Sequence, residues 1–181
     1  MNPAADAARR ERFESVVTRV HAPLERYLRR RADATTAEDV LGDVLLVLWR
    51  RIDDIPLEAE LAWCYGVARG CLANSVRSAD RQRRLVRRLA DVAAQPAASV
   101  TDPVLEDALN GLPDKDLEVL RLWAWEQLPP REIALTLGIT ANAASIRLHR
   151  ATRRLKKQLT ARKDDGPPGH LVDRQGTEAH R

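Results

Sequence analysis

Apolar positions along this chain recur at helical spacing, and no alternating stretch of strand length interrupts them. Helices are therefore expected throughout. The first two fall near residues 7–21 and 23–32, separated at Pro23, because proline lacks the N–H that a helix interior needs. Thr35 or Thr36 is placed to cap a third, in which Val40, Val44, Val47 and Leu48 form a stripe continued by Trp49 and Ile52. The turn-like run Asp53-Asp54-Ile55-Pro56 ends it. A long fourth helix is expected from near Ala59, carrying Trp63, Val67, Leu72 and Val76 before it becomes an arginine run ending near Arg88.

Residues 91–103, DVAAQPAASVTDP, are small, proline-punctuated and free of Lys and Arg, the composition of a flexible linker. Four more helices follow, at about 104–111, 115–126, 130–137 and 141–160. Leu105, Ala108, Leu109, Leu117, Val119, Leu120, Leu122 and Trp123 are expected to pack against the last two. Residues 162–181 include KDDGPPGH, show no apolar period and read as a disordered tail. The fold class is all-α: two small helical domains, 1–90 and 104–161, joined by a flexible linker at 91–103.

The segment Pro130–Lys157 carries the strongest pattern. Glu132, Ile133, Ala134 and Leu137 outline a first short helix, and Gly138 supplies the positive φ of a tight inter-helix turn. Thr140 sits where an N-cap belongs. Ala144, Leu148, Ala151, Leu155 and Leu159 then recur on one face of a second helix. Asn142, Ser145, Ile146, His149, Arg150 and Arg153 point the other way, suited to a major groove, with Arg147, Arg154, Lys156 and Lys157 available for phosphates. Hairpins with a glycine turn also occur in helical proteins that touch no nucleic acid, and basic helices are often merely solvated. The conjunction decides: a small residue four before the glycine, a cap, and six cations with no acid from Arg147 to Lys157. This is a helix-turn-helix, and it implies DNA.

Charge sharpens the division of labour. The chain has a net charge of only +4, but the charges are segregated. From Asp33 to Glu60 eight acids face two arginines; from Arg77 to Arg88 six arginines face Asp80 alone. The acidic helix suits a protein surface and the arginine run suits nucleic acid. The four Trp are expected as core anchors. Cys64 and Cys71, seven apart on one helix, lie about 10 Å apart along its axis, too far for a bridge, and read as small buried hydrophobes in a reducing cytoplasm. The N-terminus lacks a signal-type apolar core, and no apolar run is long enough to insert in a membrane. The scattered His, the absence of a CxxC pair, of a phosphate loop and of a nucleophile elbow give no basis for a metal site, a cofactor or catalysis.

AEDVLGDVLLVLWR (37–50), WCYGVARGCLANSVR (63–77), GLPDKDLEVLRLW (111–123) and EIALTLGITANAASIRLHRATRRL (132–155) occur in this order. Together they resemble the bacterial RNA polymerase sigma factors of the small, two-domain extracytoplasmic-function (ECF) type, over about residues 10–160. The resemblance implies a sigma-2-like domain at 1–90 that docks on the clamp helices of the largest polymerase subunit through Asp39, Asp43, Val47 and Arg50. It implies that 53–60 and the helix from Trp63 open the −10 element, with Trp63, Arg69, Asn74, Arg77, Arg81, Arg83 and Arg84 at the DNA. It implies that the sigma-4-like domain, 104–161, reads the −35 element through Asn142, Ser145, Ile146, Arg147, His149, Arg150, Arg153 and Arg154. Core RNA polymerase (clamp helices and flap), promoter DNA and an anti-sigma factor or other inhibitor are the implied partners. The family usually has glutamine at Gly42, often asparagine at Gly70, and a β-branched residue at Ala144. The loop at 53–60 is also more acidic than expected beside DNA. A stand-alone helix-turn-helix regulator with an N-terminal helical interaction domain is the alternative, and a polymerase or sigma partner that never touches DNA is a weaker third.

Overall fold

The computed structural model describes residues 3–86 and 102–164. Most of the segment read as a linker, and most of that read as a tail, lie outside these residues. The helices are α1 (Pro3–Arg29), α2 (Ala34–Arg50), α3 (Glu60–Val86), α4 (Pro103–Asn110), α5 (Asp114–Ala124), α6 (Pro130–Leu137) and α7 (Ala141–Asp164). A 3-10 turn, Ile52–Asp54, joins α2 to α3. Every element among the described residues is helical.

The break expected at Pro23 does not occur: α1 runs straight through it, so the first half has three α-helices where four were expected. An interior proline costs about 3 kcal/mol. Val16, Val20, Leu24, Tyr27 and Leu28 lie buried on both sides of Pro23. Each such side chain contributes roughly 1.5–3 kcal/mol on burial, so their sum outweighs the lost hydrogen bond. The cap of α2 is also corrected. Asp33, not a threonine, accepts from the Thr36 amide at 3.0 Å and from the Thr36 hydroxyl at 2.7 Å. These bonds hold its carboxyl below the usual carboxylate range.

The tryptophans are a second correction. Trp49, Trp123 and Trp125 are 37%, 48% and 42% exposed, and Trp63 is half-buried. An indole is large and polar at one edge, so it sits well at a rim where cations cover it. Arg9 lies over Trp49, Arg51 over Trp63, and both Arg30 and Arg121 over Trp125. The interior is filled by Tyr27, Tyr65 and aliphatic side chains.

The stripe expected on α3 is rotated. Ala62, Cys64, Tyr65 and Ala68 are buried, whereas Trp63, Val67 and Leu72 are half-buried and Val76 is exposed. The cause is crowding: α3 packs against α1, α2 and α6, so its small residues take the closest approaches. Burial pushes the Cys64 thiol up to about 12, and Cys64 and Cys71 are both free.

One hydrophobic core runs through both halves. Val119, Leu122, Leu128, Ile133, Ala134 and Ala144 belong to the same cluster as Val16, Leu24, Val44 and Tyr65. A smaller cluster of Leu112, Leu120 and Ala151, flanked by Leu148 and Leu155, holds α5 to α7. At the α3–α6 crossing, a Cβ on Gly66 would lie 3.3 Å from the Thr136 carbonyl oxygen, and the Thr136 hydroxyl donates to the Ala62 carbonyl at 2.9 Å.

Candidate nucleic-acid interface

The helix-turn-helix is built as its residues dictate. Pro130 opens α6, where its missing N–H is no loss. Gly138 ends α6 at φ 65°, a left-handed conformation that costs a Cβ-bearing residue but not glycine. The Ile139 amide returns to the Ala134 carbonyl at 3.0 Å, and Thr140 Oγ1 accepts from the Ala143 amide at 3.1 Å. Ala144 and Ala151 are fully buried. Their burial fixes the rotation of α7 and leaves Asn142, Ser145, Ile146, His149, Arg150 and Arg153 exposed along the opposite face.

Two residues grouped with that face are placed differently. Arg154 donates to Asp116, a nearly buried carboxylate on α5, so its charge is already matched. Arg147 is half-buried and turns toward a groove between the halves. Lys156 and Lys157 are exposed.

On the first half, Asp39, Asp43 and Arg50 are exposed on α2 and Val47 is half-buried. Leu46, which the sequence pattern did not single out, is 55% exposed beside Trp49. Its signal was present: it falls off the Val40–Val44–Leu48 stripe. Arg69, Asn74, Arg77 and Arg81 are exposed on α3, with Arg77 donating to Asn74. The side chains of Arg83 and Arg84 lie outside the described residues. The acidity of the 53–60 loop has a local explanation: Arg9 pairs with Asp53 at 2.7 Å, Arg51 with Asp54 at 2.8 Å and Arg19 with Glu60 at 2.9 Å. Exposed pairs add little stability, but they offset the charge facing outward.

The groove between the halves, about 700 Å³, is lined by Arg31, Arg69, Arg77, Lys115, Arg121 and Arg147 against the carboxylates Asp114 and Glu118, with Leu72, Ala73 and Leu117 among its apolar side chains. Burial, with Arg31 nearby, holds Arg121 below the ordinary guanidinium range. The groove therefore joins cations read from sequence as belonging to two separate DNA sites. Among the described residues no three His, Cys, Asp or Glu gather as a metal site, and no helix is long and apolar enough to cross a membrane.

The family described as "Sigma-70, region 4" matches residues 104–155, the whole helix-turn-helix half up to Leu155. The match is not confined to that half. The ECF RNA polymerase sigma factor SigL of Mycobacterium tuberculosis is 34% identical over 150 residues, covering 76% of this chain and 83% of SigL. The chain belongs to the ECF RNA polymerase sigma factors. The RNA polymerase sigma-E factor of Streptomyces avermitilis is 32% identical over 157 residues, covering 82% of this chain and 85% of that protein. Among solved structures, the sigma factor RpoE of Bartonella quintana in complex with the anti-sigma factor NepR aligns with a TM-score of 0.60 at 22% identity, over 82% of this chain and 96% of RpoE. CnrH in complex with the cytosolic domain of CnrY aligns at 0.55 and 23%, over 82% and 88%. These last two share the fold.

As a sigma factor the chain binds core RNA polymerase and directs promoter-specific initiation. Similarity across both halves favours this over a stand-alone regulator, which would share only the helix-turn-helix.

Proposed function

We propose that this sigma factor divides promoter reading between its halves. Residues 1–90 dock on the clamp helices of the largest polymerase subunit through Asp39, Asp43, Val47 and Arg50 on α2, and engage the −10 element along α3 from Trp63 to Arg84. Residues 104–161 engage the −35 element through α7, with the polymerase flap as a second contact. The observation that carries the reading is the outer face of α7, where His149, Arg150 and Arg153 are exposed and have no carboxylate partner among the described residues. Such a face offers groove-reading and phosphate-binding groups without first breaking internal bonds.

The chain acts by binding, in the cytoplasm with the polymerase, and carries no chemistry or cofactor of its own. A protein inhibitor of the anti-sigma class is its further partner, a reading supported by the complex of RpoE with the anti-sigma factor NepR, which shares the fold. Run-off transcription with purified chain and core polymerase tests the reading. Starts at discrete sites are expected with core plus chain, and none with either alone. Mapping those starts yields both boxes. Initiation that stays unspecific on every promoter tried overturns the proposal.

A further inference from the structure

The seam between the two halves holds more positive charge than the fold balances. Its groove draws Arg31 from just past the end of α1, Arg69 and Arg77 from α3, Lys115 and Arg121 from α5, and Arg147 from α7. Among the lining residues these six cations face two carboxylates, Asp114 and Glu118, which leaves a local formal excess of +4. Glu126 nearby does not change that balance, because its second partner, Arg30 at 2.5 Å, brings a further cation with it.

Two of these guanidiniums are withdrawn from solvent with donors left over. Arg31 has a side chain 6% exposed, and its terminal nitrogens reach Glu118 and Glu126. Its Nε is buried without a hydrogen-bond partner. Arg121 is half-buried, lies against the Trp125 ring at 5.3 Å and makes no ion pair among the described residues. Its Nε is also buried and unbonded, and the charge of Arg31 beside it is repulsive. Desolvated cations are costly without a counter-charge, and buried donors in folded proteins are nearly always bonded. Arg69 and Arg147, on the same groove, make no ion pair among the described residues either.

The charge and the shape together define what the groove suits. A phosphate monoester carries about −1.5 to −2 at neutral pH, so two or more phosphate groups are needed to balance the excess. Guanidiniums clasp phosphate oxygens through paired N–H bonds, which a single ammonium or a hydroxyl does not offer. The volume, about 700 Å³, lies in the range of small-molecule sites, roughly 300–1,000 Å³. Leu72, Ala73 and Leu117 beside the cations give a less polar body a surface to rest on.

We propose that this groove binds a small molecule carrying two or more phosphate groups, held by Arg69, Arg121 and Arg147, whose charges the chain leaves unmatched. The phosphate oxygens accept from these guanidiniums and supply the counter-charge that α5 lacks around Arg121. The site stands whether or not the promoter boxes are divided between the halves as proposed above. Its failure and the failure of that reading are therefore separate results.

The test is isothermal titration calorimetry on the free full chain, with ATP and inorganic tripolyphosphate as probes, in the absence of magnesium. Salt is kept at about 0.15 M so that attraction to exposed charges is screened. Wild type is expected to show saturable binding at one site per chain. Arg121→Gln is expected to weaken it about tenfold, the loss of a charge-assisted hydrogen bond. Ala73→Glu sets a carboxylate at an exposed position of the groove without touching the buried core, and is expected to weaken it by about as much. If Arg121→Gln loses helix content by circular dichroism, Ala73→Glu carries the test alone. Arg10→Gln removes the same charge from an exposed position of α1 outside the groove, and is expected to stay within about twofold of wild type. Tighter binding of ATP than of tripolyphosphate assigns the site to an organic polyphosphate, and equal or weaker binding of ATP assigns it to the inorganic form. Either supports the site. The absence of saturable binding by wild type, or groove variants that weaken it no more than Arg10→Gln does, overturns it.

Discussion

Arg31 and Arg150 are the same residue in opposite circumstances. Arg31 is 6% exposed in its side chain, stacks on Tyr27, and is bonded to the Tyr27 carbonyl and to Glu118 and Glu126. Arg150 stands exposed on α7 with no carboxylate partner among the described residues. The acids divide in the same way. Asp53, Asp54 and Glu60 are matched by Arg9, Arg51 and Arg19, whereas Asp39 and Asp43 on α2 are left open. What separates fold from function here is whether the chain supplies its own counter-charge. Of the groups matched internally, Arg31 ties the two halves together while Arg9, Arg19 and Arg51 pair within the first, and the groups left open are the ones proposed above to meet polymerase or DNA.

The sharpest way to break this comparison is to remove one member of each class. Arg31→Ala leaves Glu118 and the buried Glu126 without their shared partner, and is expected to cost about 3–5 kcal/mol in urea unfolding. Arg150→Ala is expected to stay within about 0.5 kcal/mol of wild type. Equal losses for the two would erase the distinction.

In promoter binding the order should reverse. His149→Ala or Arg150→Ala in the holoenzyme is expected to lose about 1–3 kcal/mol of discrimination at one −35 position. Lys156→Ala should weaken all sequences alike and reduce the log–log salt slope by about 0.9. Footprinting across single-base promoter variants, repeated at several salt concentrations, separates these behaviours. Wild-type preference in the His149 variant would move the reading face elsewhere on α7.

Much of this was legible from spacing alone. The α6–α7 turn has a sequence-local cause at Gly138 and Thr140, so its geometry follows from the residues that make it. The rotation of α7 follows from Ala144 and Ala151, whose small side chains mark the buried face. The seam was not legible. Glu126, Arg30 and Arg31 are nearly a hundred residues apart and look like solvated charges until folding joins them. Arg154 was grouped with the DNA face for the same reason, because Asp116 lies 38 positions away. Pro23 and the tryptophans failed differently: a local rule was outweighed by burial in one case and, for Trp49, Trp63 and Trp125, by rim stacking with arginine in the other. Periodicity reports which side of a helix is apolar, but not which neighbour covers it.

Gly42 tests the open class more gently. It is an exposed interior position of α2 and has nothing within 4 Å of where a Cβ would stand. Gly42→Ala should stabilise the chain by about 0.5–1 kcal/mol through helix propensity alone. Gly42→Gln should add a polymerase contact on top of a similar gain, so the two variants should part in core-binding affinity while matching in thermal unfolding. If they bind core equally, position 42 lies outside the docking face.

The smallest effect concerns a group that is closed by burial without any counter-charge. Desolvation holds the Cys64 thiol at about 12, above its value in an unfolded chain, and Cys71, half-buried, is raised for the same reason. A raised thiol pKa favours the protonated native form. The contribution is complete below the unfolded thiol's pKa of about 8.5 and fades as pH climbs from there toward 12. Ionisation of Cys64 should therefore leave thermal stability unchanged near neutral pH, and above about pH 9 stability should fall more steeply with pH in wild type than in Cys64→Ala, on top of a constant packing loss in the variant. Alkylation of the native chain at neutral pH should label Cys71 first and leave Cys64 unmodified until the core opens. Rapid labelling of Cys64 in the folded protein would mean that the α3 face packed on α1, α2 and α6 opens far more readily than its burial implies.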